Sequence, residues 1–218
     1  MILGFAHLTA TTANAAEEQH RWLARGWTTS HTFPGVVSAV QKWPLMTGKA
    51  RLHDLYMMDG DFCVEVIQHD TGAVSGEGRI VYRDGHGGEA LGVVARNPDV
   101  ETGFFVDALT FAASDDGCVV LRSRFPQWSI ALAVAEDANA PLDPPLDLDG
   151  LSCLAFYSTN VVEDAARIAA HGGRDAIDPF EIRVGRNDLR ILMLRSPEGT
   201  IIELIQIVKT NDLLTQSR

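Results

Sequence analysis

Three side chains with metal-ligand chemistry interrupt apolar runs of this sequence. His7 stands in ILGFAHL, Glu65 in DFCVEVIQHD and Glu203 in GTIIELIQIV. Imidazole and carboxylate groups together suit Zn²⁺, Mn²⁺, Fe²⁺, Co²⁺ or Ni²⁺. Burying an unpaired charge costs several kcal/mol, so each carboxylate either faces water or has a partner. The residue types indicate a divalent-metal site, with a structural ion pair or a solvent-facing glutamate as the alternative.

The two glutamates occupy matching places in an internal repeat. Aligning the two copies sets His7 against Cys153. The closing stretch of each copy sets Glu65 against Glu203. Self-similarity at this scale means that one supersecondary unit is used more than once. Two carboxylates at equivalent positions therefore favour a shared site over two unrelated surface residues.

Each copy predicts a strand, a helix and three further strands. Apolar runs and alternating patterns give the strands, and helix formers bounded by Gly26 and Gly172 give the helices. The first βαβββ module is predicted at residues 1–70, and the last module with a C-terminal tail at residues 147–218. Residues 71–146 predict a degenerate βαβββ module and a Pro/Asp-rich linker, with a plain insertion of strands as the competing interpretation.

Composition limits the function classes. The formal net charge is −11, which argues against nucleic acid or an anionic membrane surface as a partner. Three cysteines without metal-type spacing indicate a reducing compartment. The apolar N-terminus lacks the basic start of a signal peptide, and no apolar run reaches the length of a membrane span. The sequence therefore predicts a soluble, cytoplasmic protein that binds a small molecule.

The repeat resembles the vicinal oxygen chelate superfamily, which includes glyoxalase I, extradiol dioxygenases and bleomycin-resistance proteins. The resemblance rests on the opening FAHLTATTANAAEEQHRWLARGW, on the closing SPEGTIIELIQ and on their echoes in the other copy. It implies an α+β, glyoxalase-like fold. In that fold, repeated βαβββ modules pair into open, curled, barrel-like sheets around a divalent ion.

The resemblance also implies which residues hold the ion. In metal-using relatives the ligands come from the first and last strand of each module, which implies His7 and Glu65 from one copy and Cys153 and Glu203 from the other. A lone cysteine in an apolar strand is more often a buried small hydrophobe. We therefore expect a metal set of His7, Glu65 and Glu203, with Cys153 as a further candidate. One of the two glutamates is expected to act as catalytic base.

Two further polar residues lie close to Glu65 in the predicted sheet. His53 and Tyr56, on the strand before Glu65, are expected to line the same cavity.

The ligand set and the oligomeric state depend on which modules pair. If the first and last modules pair, the four ligand positions come together. If the first module pairs with the middle one instead, the last pairs with its counterpart in another subunit, which predicts a homodimer.

The sequence thus supports two functions. The favoured one is a divalent-metal-dependent enzyme, a lyase/isomerase or a dioxygenase, acting on a small oxygen-chelating metabolite. The rival is a non-catalytic protein of the bleomycin-resistance type that binds and sequesters a small molecule. Cys153, the middle module without ligand residues and four tryptophans favour the rival; the tryptophans are Trp22, Trp27, Trp43 and Trp128.

Overall fold

The computed structural model describes residues 1–85, 88–114 and 118–210. The end of the predicted C-terminal tail, residues 211–218, lies outside the described residues. Within the described ranges, no helix is long and apolar enough to cross a membrane.

The first module is a buried strand followed by a helix and three more strands. Its elements are β1 (Ile2–Thr11), α1 (Ala15–Ala24), β2 (Thr28–Val37), β3 (Leu52–Asp59) and β4 (Cys63–His69). A 3-10 helix, Val40–Leu45, lies between β2 and β3. Asn14 caps α1 by accepting a hydrogen bond from the backbone N–H of Glu17. Gly26, at φ +90°, takes the left-handed conformation that ends the helix.

The middle segment forms a separate five-stranded sheet. Its elements are β5 (Ile80–Gly85), β6 (Gly88–Ala95), α2 (Pro98–Asp107), β7 (Ala112–Ala113), β8 (Cys118–Leu121) and β9 (Ile130–Glu136). The strand order is β5-β6-β9-β8-β7. β6 runs parallel to β9, as β1 runs parallel to β4. From β6 onward, the segment therefore has the order and pairing of a βαβββ unit, with β5 added at one edge.

The last module repeats the first closely. Its elements are β10 (Gly150–Ser158), α3 (Val161–Ala170), β11 (Phe180–Val184), β12 (Asn187–Arg195) and β13 (Ile201–Thr210). Asn160 caps α3, and Gly172, at φ +91°, follows its end. These positions match Asn14 and Gly26 in the first module. The repeated sequence therefore encodes repeated helix boundaries.

Two matched glutamines tie the last strand of each module to the start of its helix. Gln68 on β4 accepts a hydrogen bond from the backbone N–H of Ala15, at 2.9 Å. Gln206 on β13 accepts one from Val161, at 3.4 Å. The first N–H groups of a helix have no partner within the helix. Part of the repeat thus serves helix capping.

The first and last modules join into one curled sheet. β1 pairs antiparallel with β10, which gives the strand order β11-β12-β13-β10-β1-β4-β3-β2. Side chains from all eight strands, the two edges included, line a single cavity. The sheet is therefore an open barrel around that cavity, and the predicted fold class is confirmed. Because the two modules pair within one chain, the arrangement that led us to expect a homodimer is not the one observed.

The other face of this sheet packs against the helices and the middle segment. One buried cluster contains Leu8 and Val64 from the strands, Trp22 from α1, Phe105 from α2 and Ile168 from α3. Side chains alternate between the two faces of a strand. Residues one position away in sequence from these core residues, among them His7 and Glu65, therefore face the cavity.

Candidate metal centre

The three predicted ligands come from strands at the centre of the curled sheet. His7 lies on β1, Glu65 on the neighbouring β4, and Glu203 on β13, beyond β10. In the pairing register, Ala155 of β10 stands opposite both His7 and Glu203. Its small, fully buried side chain leaves room above β10, so the Glu203 carboxylate can reach across this strand toward the imidazole.

The ligand atoms converge on one point. Nε2 of His7 lies 3.3 Å from Oε2 of Glu65 and 3.3 Å from Oε2 of Glu203. One ligand atom from each residue lies within 4.8 Å of the others. Two atoms that bind one ion at about 2.1 Å and at right angles are about 3 Å apart. The two 3.3 Å distances from His7 to the glutamates are close to those expected around a shared divalent ion.

The imidazole nitrogen is buried without a hydrogen bond. Among the described residues, Nε2 of His7 has no partner of acceptable hydrogen-bond geometry, although two carboxylate oxygens flank it. A buried polar atom left without a partner costs about 1–3 kcal/mol. One nitrogen and two carboxylates with no bond among them are also a donor set that zinc, manganese and iron accept. The residues present therefore fit a divalent ion.

Without an ion, the three groups form a charged triad. Burial lowers the pKa of His7, but the negative charge of Glu65 and the nearby carboxylate of Glu203 raise it to about 10. Burial raises the pKa of Glu65, but the charge of His7 brings it down to about 2. The imidazole is thus protonated at neutral pH, and it must release a proton before Nε2 can bind a metal.

The triad forms part of the wall of a cavity of about 270 Å³. Most of the wall is apolar, with isoleucine, leucine, valine, methionine and phenylalanine side chains from both modules. A few polar groups interrupt it, among them Lys42, His53, Tyr157 and Asn187. Burial raises the pKa of the Tyr157 hydroxyl. A dry wall with few polar groups is typical of sites for small molecules.

The structure separates the two residues predicted on β3. His53 lines the cavity and is buried. Tyr56 packs against the core on the other face of the sheet. The expectation that Tyr56 lines the same cavity is therefore wrong, because residues three apart on a strand point to opposite faces.

Cys153 is fully buried in an apolar cluster with Ile191, Met193 and Ile201. It does not belong to the group of convergent ligand atoms. Burial, followed by the charge of Glu203, raises the pKa of its thiol well above the usual value. A protonated thiol is a poor metal ligand. The surroundings of Cys153 are those of a small core residue.

Sequence reasoning missed two buried basic residues near the site. Lys42 lies in the 3-10 helix, within a segment without a hydrophobic period. His69 lies on β4, opposite His53, and the two rings are 5.7 Å apart. The alternation of β4 places His69 on the same face as Glu65, so its position was available in the sequence. None of the four tryptophans, all within the described ranges, lines the cavity.

Comparison with known proteins gives structural similarity only. No protein-family model matches the sequence, and no curated protein matches it. Glyoxalase I from Zea mays aligns over 93% of this chain and 67% of its own, with 12% identity and a TM-score of 0.38. A glyoxalase/bleomycin resistance protein from Albidiferax ferrireducens aligns over 53% of this chain and 94% of its own, with 18% identity and a TM-score of 0.40. An integron cassette protein from V. cholerae gives 17% identity and a TM-score of 0.37 over 53% of this chain and 90% of its own. At such low identities and scores, the similarity assigns no activity to this chain.

Proposed function

We propose that this chain is a divalent-metal-dependent enzyme of the vicinal oxygen chelate type, with His7, Glu65 and Glu203 as its metal ligands. The observation that carries the proposal is the buried, unbonded Nε2 of His7 between two carboxylate oxygens at 3.3 Å. The three residues come from both modules of one chain and open on one cavity. Zn²⁺, Mn²⁺, Fe²⁺, Co²⁺ and Ni²⁺ all accept this donor set.

The residues of the site have separable roles. A divalent ion held there would supply Lewis acidity to neighbouring oxygens of a small metabolite. The apolar wall excludes water and strengthens electrostatic interactions inside the cavity. Glu65 or Glu203 accepts a proton from the substrate as general base, since both carboxylates lie at the cavity wall. The reaction class is a lyase/isomerase or a dioxygenase reaction.

One observation favours the second candidate, a non-catalytic binder. The protonated His7 pairs with both carboxylates and offsets one of their two negative charges, because its raised pKa of about 10 keeps the imidazolium charged between them. The triad is then complete without metal, and the largely apolar cavity serves to sequester a ligand. A homodimer and a cytoplasmic location remain predictions from the sequence.

Elemental analysis of protein purified without a metal-chelating tag separates the two candidates. The enzyme proposal expects about one divalent ion per chain and loss of that ion in His7→Ala, Glu65→Gln and Glu203→Gln. His69→Gln is the matched control, because it removes another buried imidazole from the same sheet outside the triad.

The opposite result is equally informative. Absence of metal from the wild type, also after incubation with Zn²⁺, Mn²⁺ or Fe²⁺, together with unchanged folding of the three variants, would refute the enzyme proposal. That result would leave the sequestering protein as the better description.

A further inference from the structure

The cavity contains a buried cation that the proposed metal set does not use. Lys42 is 8% exposed and lines the cavity from the 3-10 helix between β2 and β3. Among the described residues, no carboxylate lies within ion-pair distance of its ammonium group. Its Nζ lies 5.6 Å from the ring centre of Phe180. The charge of Lys42 acts on Glu65 only from beyond ion-pair distance. A buried ammonium without a contacting carboxylate is costly, so the site is suited to an anion that enters from the cavity.

Two neutral imidazoles stand near this cation. His53 lines the cavity, and Nδ1 of His53 and both nitrogens of His69 are buried without a hydrogen-bond partner in the described residues. Burial and then the charge of Lys42 lower the pKa of both histidines to about 4. A cation at this position disfavours a second metal ion between the two rings. A neutral imidazole still offers one N–H donor, which an anion accepts.

The last module offers no such groups at the matching positions. Met57 pairs with Glu65, and Met193 pairs with Glu203, which aligns β3 and β4 with β12 and β13. In this alignment the His53–His69 pair corresponds to Leu189 and Ile207. Both of these apolar residues line the cavity. At these matching positions, the first module therefore gives the cavity cationic and hydrogen-bonding groups, and the last module gives it apolar ones.

The charges of the cavity define the ligand further. Glu65 and Glu203 together balance a divalent ion, and a histidine bound to metal is neutral. The charge of Lys42 is then left over among the residues that line the cavity. A ligand with a single negative charge neutralises it.

We propose that the cavity takes a small, singly charged carboxylic acid. Its carboxylate pairs with Lys42 beside His53, its apolar body lies toward Leu189 and Ile207, and its oxygen donors face His7, Glu65 and Glu203. This substrate class rests on the proposed metal-dependent function. A cavity of about 270 Å³ limits the ligand to a compact metabolite.

The test uses metal-loaded protein and a series of ω-carboxyalkyl hydroxamates of increasing chain length. Each acid is compared by calorimetry with its uncharged primary amide. The hydroxamate supplies two adjacent oxygens to the metal. The carboxylate or amide at the other end of the chain is placed to contact Lys42, so the difference in affinity between them measures that contact. We expect at least one acid to bind about tenfold more tightly than its amide, because a charge-assisted hydrogen bond is replaced by a neutral one. Lys42→Met is expected to abolish this preference.

Lys49→Met is the matched control. Lys49 belongs to the same connection, and its Nζ also lies 5.6 Å from an aromatic ring, that of Trp43. It is exposed and lies outside the cavity. The control should keep the preference for the acid. Lys42→Gln gives a second uncharged variant should the methionine disturb folding. Equal binding of acid and amide at every length, or a preference that survives in both Lys42 variants, would overturn the proposal.

A metal-free measurement separates this proposal from the function on which it rests. If the wild type holds no divalent ion in elemental analysis, the metal-dependent function fails and the hydroxamate test does not apply. Hexanoate and hexanamide are then compared on stripped protein. A preference for hexanoate that Lys42→Met removes still supports the anion site, and its absence there overturns the anion site as well.

Discussion

The first and last modules share a backbone but differ in the side chains that face the cavity. Both begin their helices at a capping asparagine, Asn14 or Asn160. Both bind the first N–H of the helix with a glutamine from the last strand, Gln68 or Gln206. On the cavity side, however, the first module carries His7 where the last carries the buried Cys153.

The comparison separates two reasons for repetition. Residues that are identical in both modules include the caps, which fold each copy in the same way. Residues that differ, such as the His53–His69 pair against Leu189 and Ile207, make the cavity polar at one position and apolar at the matching one. The glutamates are the exception, since Glu65 and Glu203 are identical and both face the centre. The asymmetry between the modules is therefore where substrate orientation is to be sought.

The largest effect on metal affinity is expected from replacing, one at a time, the two residues that the repeat aligns, His7 and Cys153. His7→Ala should weaken Zn²⁺ or Mn²⁺ binding by at least about a hundredfold, since even changes behind the ligands cost 10–100-fold. Cys153→Ala should leave the affinity nearly unchanged, because its thiol packs among apolar side chains. Competition titration with a chromophoric chelator measures both. A loss for Cys153→Ala as large as that for His7→Ala would restore the symmetric four-ligand site.

The elements of the first and last modules can be predicted from the sequence because local patterns determine them. Alternation placed Glu65 on a strand face, and Gly26 and Gly172 marked the helix ends, as both take positive φ. The convergence of the triad follows once β1 pairs with β10, but no local pattern specifies that pairing, which joins strands far apart in the chain. The competing arrangement was equally compatible with the sequence.

The wrong prediction for Tyr56 and the failure to predict Lys42 have identifiable reasons. Tyr56 was grouped with His53 although the period of a strand forbids a common face. Lys42 lies in a short 3-10 helix, whose position depends on packing against the last module near Phe180. Its burial is a tertiary effect that composition and periodicity do not encode.

A further effect, on the pH dependence of stability, is expected from replacing His53 and His69 with the leucine and isoleucine found at the matching positions of the last module. In metal-free protein, His53 and His69 have pKa values near 4, against about 6.5 for an unfolded histidine. Because the unfolded state binds more protons between these values, the free energy of unfolding should fall as pH drops from 7 to 4. The double variant His53→Leu/His69→Ile should lose less over this range, by about 2 kcal/mol for each histidine replaced. Urea unfolding at pH 7 and pH 4.5 measures the difference.

The exposed His20 supplies the control for this pH effect. His20→Leu on α1 changes a histidine at the protein surface, so its unfolding curve should follow that of the wild type at both pH values. Parallel pH profiles of the wild type and the double variant would show that the two buried imidazoles do not set the acid sensitivity.

The smallest effect is expected from removing the helix-capping glutamines that the first and last modules share. Gln68→Ala and Gln206→Ala each leave the first N–H of a helix without its partner, and loss of a cap costs about 1 kcal/mol. Gln68→Ala should cost more than Gln206→Ala, since its hydrogen bond is 2.9 Å long against 3.4 Å. Both should leave metal affinity within about twofold, because these residues cap helices and do not line the cavity. Thermal unfolding measures the loss of stability, and metal titration of the same samples measures the affinity. A drop in metal affinity for either variant would mean that the capping contacts also position the glutamate three residues earlier on the same strand.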